Sequence, residues 1–471
     1  MRIAEGCVAA AGRKIAPAAL LLVCISLFAC AGKSGLTGGG QDGVACRDVL
    51  VLPQDLHAYA EPAGKKRMIA PAAQAAAAEE QKARLFRPWR MIAPSRRLKL
   101  ALNGNFNLKP DHAYAEDLRP FPRDIWQRLV DNCNKAAYPS YVRKGITLRH
   151  TNLRAMPTAS PLYLNPRLPG EGFPFDYFQH SSLPMGMPLF ICNISADGRW
   201  LLAETPLAAG WLPAGDVAEV DESFARRWQS PSLAALVSDN VVLAGSAESI
   251  GTLLPLAGAA PRGRGHALSV YCPVRGDDGK AAVSTVVLGP EDAVVVPLSL
   301  TPTEVARVGN EMMGQAYGWG GIARRRDCSA LTRDVFTPFG IWLPRNSSRQ
   351  AKAGGAVSLV GFGNEEKEAA ILAKARPFLS LIWLPGHIGL YLGQYQGRPV
   401  MFHNMWGLRT RDADNTCNGR AVVGRAVVTS LRPGAERADI CAPASIVDRI
   451  QRIVLLPGNG EDPAAAENAD Y

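Results

Sequence analysis

The chain has 471 residues and a formal net charge of +10, too long for one hydrophobic core and basic enough to suit an anionic partner. Nucleic acid would also suit that charge, but no helix-turn-helix, zinc or aromatic-rich RNA motif accompanies it, so no nucleic-acid partner is expected. Beyond the extreme N-terminus no stretch is apolar and long enough to span a bilayer.

In chain order, Arg2, Arg13 and Lys14 precede the apolar run Ile15 to Ala29, which ends in Leu27-Phe28-Ala29-Cys30. A basic start, a short apolar core and small residues before a cysteine predict a secretory signal over 1–30. The Leu-x-Ala-Cys ending resembles a bacterial lipoprotein box, which would make Cys30 the lipidated first residue of the mature chain. Ala31 and Gly32 are unlike the aspartate that retains lipoproteins at the inner membrane. An exported, periplasmic, outer-membrane-anchored protein is expected. Residues 31–45, rich in glycine, read as a flexible tether.

Residues 46–140 read as a partly helical region. Ala72 to Phe86 is alanine- and charge-rich and predicts a helix that stops at Arg87-Pro88, because proline cannot continue it. His-Ala-Tyr-Ala-Glu occurs at 57 and 112, and Arg-Met-Ile-Ala-Pro at 67 and 90, at unequal spacings that exclude a solenoid repeat. From 141 to 222, short apolar runs alternate with Pro/Gly/Asp/Asn turns, the texture of a small all-β barrel, and 223–300 repeats it. Asp197-Gly-Arg-Trp followed by Gly210-Trp-Leu-Pro resembles bacterial Src-homology-3-like domains. The loop Gly172-Phe-Pro-Phe-Asp-Tyr-Phe-Gln carries too many aromatics for a solvated linker, and Asp176 and Tyr177 on it are candidates for substrate contact.

Residues 301–457 hold the chemistry. Tyr317-Gly-Trp-Gly-Gly runs through Asp327 into Cys328-Ser-Ala-Leu-Thr, a glycine-rich turn entering a helix that Asp327 can cap and that Pro338 and Gly340 end. A thiolate in the first turn of a helix meets the positive end of the helix dipole, so Cys328 reads as a nucleophile. Residues 386–404 predict a β-hairpin in which Ile388, Leu390 and Leu392 share one face and His387 the other. A turn centred on Tyr395 sets His387 directly opposite His403, roughly 4.5 to 5.5 Å apart at Cβ. Cys328 as nucleophile, His387 as general base and His403 as its orienter complete a cysteine-peptidase triad. There is no Cys-x-x-Cys and no close histidine spacing, so neither metal nor cofactor is expected. Past Cys30 the cysteines are 46, 133, 192, 272, 328, 417 and 441, an odd number that leaves at least one free thiol. Whether Cys417 and Cys441 pair is left open by the sequence. The tail 458–471, rich in Ala, Glu, Asp and Gly, reads as disordered.

Tyr-Gly-Trp-Gly, Asp-Cys-Ser, Leu-Pro-Arg-Asn-Ser-Ser-Arg-Gln and Gly-His-Ile-Gly-Leu-Tyr-Leu-Gly, in this order over roughly 302–457, resemble the NlpC-type papain-like cell-wall cysteine peptidases. The resemblance implies a multidomain α+β architecture: a cysteine-bearing helix packed on an antiparallel sheet, preceded by two bacterial Src-homology-3-like barrels and a helical N-terminal clip. It implies cleavage of the γ-D-glutamyl–meso-diaminopimelate bond of peptidoglycan stem peptides. It also implies that Tyr317, Trp319, Asp327, Ser329, Asn346 and Ser347 line the groove, with Asp176 and Tyr177 reaching its end and the Cys328 amide and Tyr317 serving the oxyanion. Gly386 and Asn346 depart from the family pattern, where a polar residue and an aspartate are common. A monomer acting on stem peptides, in cell-wall remodelling or lysis, is expected. The alternatives are recycling of free stem peptides bearing an N-terminal L-Ala, an amidase or transferase of the same chemistry, and a non-catalytic envelope-binding lipoprotein.

Overall fold

A computed structural model describes residues 45–103, 110–261, 265–441 and 445–457. The signal region with Cys30, nearly all of the tether and the tail 458–471 lie outside the described residues.

The N-terminal region opens with short helices at Asp48–Val51 and His57–Ala63, followed by the fifteen-residue helix Pro71–Leu85. Its proline sits in the first turn, where a missing N–H costs nothing. Two glutamines on its buried face reach out of the helix: Gln74 Nε2 donates to the carbonyls of Leu298 (2.6 Å) and Phe339 (3.0 Å), and Gln81 Nε2 to that of Thr337 (3.0 Å). They tie the helix to the segments around Leu298 and around Thr337 and Phe339. The expected stop at Arg87-Pro88 is only half right: a new turn, Arg87–Arg90, begins there with Pro88 at its N-terminus.

The first barrel is one antiparallel sheet of seven strands, ordered Gln179–Leu183, Thr151–Arg154, Ala209–Pro213, Trp200–Glu204, Pro188–Ile194, Arg143–Thr147, Val217–Glu219. The strand Pro188–Ile194 is buried on both faces. Leu189 and Ile191 enter a core shared with the second barrel, while Phe190 and Cys192 enter one covered by the N-terminal region through Leu98, Leu102 and Phe121. Alternation along the strand therefore serves two cores rather than a core and solvent. The second barrel follows the helix Glu222–Trp228, capped by Asp221. It is built from the three-stranded sheet Leu253–Pro255, Leu233–Leu236, Ala293–Val295 and two hairpins, of which Leu268–Arg275 with Ala281–Leu288 is the longer.

The C-terminal domain is a six-stranded antiparallel sheet, ordered Gly355–Ser358, Arg452–Leu455, Ser380–Leu384, His387–Tyr395, Arg398–Thr410, Gly419–Ser430. The helix Cys328–Phe336 packs on one face, where Leu331, Val335, Ile388, Leu390, Leu392, Val400 and Phe402 meet. The helix Asn364–Lys374 covers the other through Ile371.

The hairpin register differs from the expected one. Leu390 pairs with Phe402 and Tyr391 with Met401, a bulge at Leu392 follows, and Tyr395 pairs with Arg398 across Gln396-Gly397. Both turn residues have positive φ, +49° and +79°, as a tight two-residue hairpin turn needs. Moving the turn to Gln396-Gly397 shifts the pairing by three residues and the bulge takes one back; the net shift of two beyond it keeps the side chains there on their expected faces but makes His387 and His403 diagonal rather than opposite.

Candidate active site

The nucleophile is placed by a loop that both barrels hold. Gly320 (φ +61°) and Gly321 (φ +83°) cross the first barrel so closely that a Cβ would lie 2.6 Å from the Gln179 carbonyl oxygen or 2.2 Å from Ser182 Oγ. Gln179 Nε2 donates to the Gly320 carbonyl at 3.1 Å. On the other side Arg326 is gripped by Asp239 of the second barrel (2.7 Å) and by Asp334 of the nucleophile helix (2.7 Å). The helix then starts at Cys328, where Asp327 Oδ1 caps Ala330 N at 2.9 Å.

Arg345 locks this start. Its Nη2 meets Asp327 Oδ2 at 2.7 Å, its Nη1 donates to Ser329 Oγ at 3.1 Å, and its Nε to Ser181 Oγ of the first barrel at 2.9 Å. Burial alone would raise the Asp327 carboxyl, but Arg345 and the cap keep it below the ordinary range. Asp327 and Ser329, expected to line the groove, are buried in this network.

The backbone amides of Ile388, the residue after His387, and of Ser329 face Cys328 Sγ and favour its thiolate. Burial, reinforced by Asp327, pushes its thiol up to about 12. Burial, with Arg449 as a lesser cause, pulls His387 down to about 4. The helix dipole was expected to favour a thiolate; desolvation outweighs it. The resting pair is thiol and neutral imidazole, so the proton moves as substrate is attacked.

The histidines are joined in spite of the diagonal register. His387 Nε2 and His403 Nδ1 lie 2.7 Å apart, and His403 Nε2 lies 3.0 Å from Thr429 Oγ1. Burial, then proximity to His387, holds His403 well below the usual imidazole range.

The other candidates divide. Tyr317 is buried beside the nucleophile, and burial, reinforced by Cys328, raises its phenol far enough to keep it a hydroxyl donor. Trp319 and Tyr177 belong to an aromatic wall: Phe175 lies 5.2 Å from Trp319 and 5.6 Å from Trp406, Tyr177 lies 6.0 Å from Trp319, and Tyr317 5.8 Å from Trp406, all between ring centroids. Tyr177 also donates to Glu171, 3.0 Å from both carboxylate oxygens. Asp176, expected to face substrate, is 1% exposed. One oxygen pairs with Arg154 Nη1 at 2.6 Å, and the other accepts from Leu162 N (3.0 Å) and Phe178 N (2.9 Å). It shapes the loop that carries Phe175 and Tyr177 and has no oxygen left for a ligand. Asn346 is exposed and Ser347 half-buried, at the start of the short helix Ser347–Gln350.

Arg345, Arg326, Asp239, Phe175, Trp406 and Thr429 escape sequence reasoning. The Phe-Pro-Phe-Asp-Tyr-Phe loop was the one local signal; the others become partners only through tertiary contacts. Among the described residues no group of three or more His, Cys, Asp or Glu side chains is arranged to hold a metal ion. Cys417 and Cys441 form a disulfide, and the free cysteines 46, 133, 192, 272 and 328 are buried.

A helix-borne cysteine against a sheet-borne histidine pair defines the papain-like class. Three family models match the chain: the N-terminal NLPC_P60 stabilising domain over 19–138, the SH3 domain of SH3b1 type over 161–213, and the NlpC/P60 family over 314–424. The chain therefore carries an NlpC/P60 domain behind an SH3b domain and the stabilising domain of that family. Among solved structures it is similar to an NlpC/P60 endopeptidase from Photobacterium damselae subsp. piscicida, with TM-score 0.76 and 24% identity over 87% of this chain and 98% of that one. An NlpC/P60 family protein from Bacillus cereus is more distant, with TM-score 0.37 and 16% identity over 58% of this chain and 81% of that one. No curated protein matches the sequence.

Proposed function

We propose that the protein is a peptidoglycan hydrolase that cleaves the γ-D-glutamyl–meso-diaminopimelate bond of stem peptides. The observation that carries the reading is the line from Cys328, beside the Ile388 amide, through the His387–His403 contact of 2.7 Å. In the proposed cycle His387 takes the thiol proton as Sγ attacks the γ-carbonyl carbon. The Cys328 amide and the Tyr317 hydroxyl receive the oxyanion. The imidazolium then protonates the leaving amine, the C–N bond breaks, and a thioester remains for water to hydrolyse. The bond specificity rests on the resemblance to the family.

Digestion of purified sacculi and of the tripeptide L-Ala-γ-D-Glu-meso-diaminopimelate, with mass spectrometry of the new termini, tests it. Free diaminopimelate-side products that vanish with Cys328→Ala are expected; γ-D-glutamyl amides left intact would overturn it. One observation favours the free stem peptide over the polymeric wall: Cys328 is only 8% exposed, and the first barrel packs Phe175 against Tyr317 and Trp319 of the loop that leads to it. Faster turnover of the tripeptide than of sacculi would settle that choice.

We propose further that the chain is an exported lipoprotein anchored through Cys30 at the outer membrane. The Cys417–Cys441 disulfide supports an oxidising compartment, and no described helix is long and apolar enough to cross a membrane. Cys30→Ser should move the protein from the membrane to the soluble fraction; retention in the membrane would argue against the anchor.

A further inference from the structure

The histidine pair can hold its two shared protons in either of two orders, and only one of them makes a base. In one, His387 donates Nε2–H to His403 Nδ1, leaving His387 Nδ1 as a lone pair for the thiol. In the other, His403 Nδ1–H donates to His387 Nε2, which forces the proton of neutral His387 onto Nδ1 and presents an N–H to the thiol.

We propose that Thr429 selects the first order and is thus a positioning residue for the general base. Its Oγ1 lies 2.7 Å from the carbonyl of Ser430, which can only accept; with the hydroxyl proton donated there, Oγ1 is left to accept from His403 Nε2, 3.0 Å away. His403 must carry its proton on Nε2 to make that bond, and its Nδ1 is left to accept from His387 Nε2. His403 and Thr429 are both fully buried, so water does not offer an alternative partner.

Thr429 is itself held from outside. It lies on the last strand of the sheet, whose outer edge is paired by residues 314–317 along Gly424, Arg425 and Ala426, short of Val428. Gln54 covers that edge as a neighbouring strand would, its Oε1 accepting from Val428 N (2.9 Å) and its Nε2 donating to Val428 O (3.0 Å). Asp48 Oδ2 accepts from Ser430 N (2.8 Å) and Ser430 Oγ (2.7 Å). The N-terminal segment thus clamps the residues on both sides of Thr429.

The inference rests on the peptidase reading for its kinetic arm only. With the stem tripeptide as substrate, Thr429→Val should lower kcat about fivefold or more with little change in KM, as loss of one buried hydrogen bond implies, and Thr429→Ser should restore most of it. In Cys328→Ala protein labelled with nitrogen-15 histidine, His403 should show a single Nε2–H tautomer, and Thr429→Val should mix in the other. Unchanged kcat in a folded Thr429→Val, or an unchanged tautomer, would overturn the proposal. Failure of the unmodified protein to turn over the tripeptide would instead count against the peptidase reading, and the tautomer measurement would still decide the role of Thr429.

Discussion

A Cβ placed on Gly389 would stand 2.9 Å from the Cβ of His403. Because the hairpin register makes His387 and His403 diagonal, His403 must lean toward its partner, and the bare glycine leaves the room. Gly389→Ala should therefore disturb the His387–His403 contact, with roughly 1–3 kcal/mol of overpacking and a fall in kcat larger than the fall in melting temperature would explain. Activity and thermal unfolding of the purified variant check this.

The Asp327–Arg345 pair is buried and joins the nucleophile helix to the first barrel. Arg345→Met would leave Asp327 charged without its partner, at a cost of about 3–5 kcal/mol. Urea unfolding should show the loss, and Cys328 should react faster with iodoacetamide as its surroundings loosen.

Acid should act in two ways. His387, at about 4 when folded, places the acid limb of kcat/KM near pH 4, well below an ordinary histidine. His150 and His180 are likewise lowered to about 4, chiefly by burial. Folded pKa values below the unfolded one mean that the unfolded chain binds more protons. The stability these neutral histidines contribute is present above about pH 6.5 and is lost as pH falls toward 4. Melting temperature measured across that window should decline steadily; a flat profile would refute the assignment.

Asp176→Ala leaves Arg154 buried without its ion pair, so the first barrel should lose about 3–5 kcal/mol. Loosening of the Phe175–Tyr177 loop should raise KM more than it lowers kcat, whereas a residue directly in the chemistry would do the reverse. Steady-state kinetics on the stem tripeptide separates the two.

Local chemistry made the nucleophile turn, its Asp327 cap and the apolar face of the hairpin readable, since each depends on residues a few positions apart. The register was not, because Tyr395 and Gln396-Gly397 offer competing turn centres and strand parity is blind to a two-residue shift. The repeated pentapeptide shows the limit more sharply. His-Ala-Tyr-Ala-Glu is helical at 57–61, with Tyr59 and Ala60 buried, yet at 112–116 it forms an extended bridge between Tyr114 and Tyr163. Identical local propensities give opposite structures when tertiary contacts differ. Thr429 was hidden for the same reason: in Val427-Val-Thr-Ser it reads as an ordinary strand residue.

The strand Arg452–Leu455 lies inside the catalytic sheet, between Gly355–Ser358 and Ser380–Leu384. A chain made from its N-terminus onward thus presents Cys328 and both histidines long before the sheet that carries them can close. The domain cannot assemble its working site until Arg452–Leu455 has been delivered, so a chain cut short of that strand carries the catalytic side chains without the scaffold that joins them.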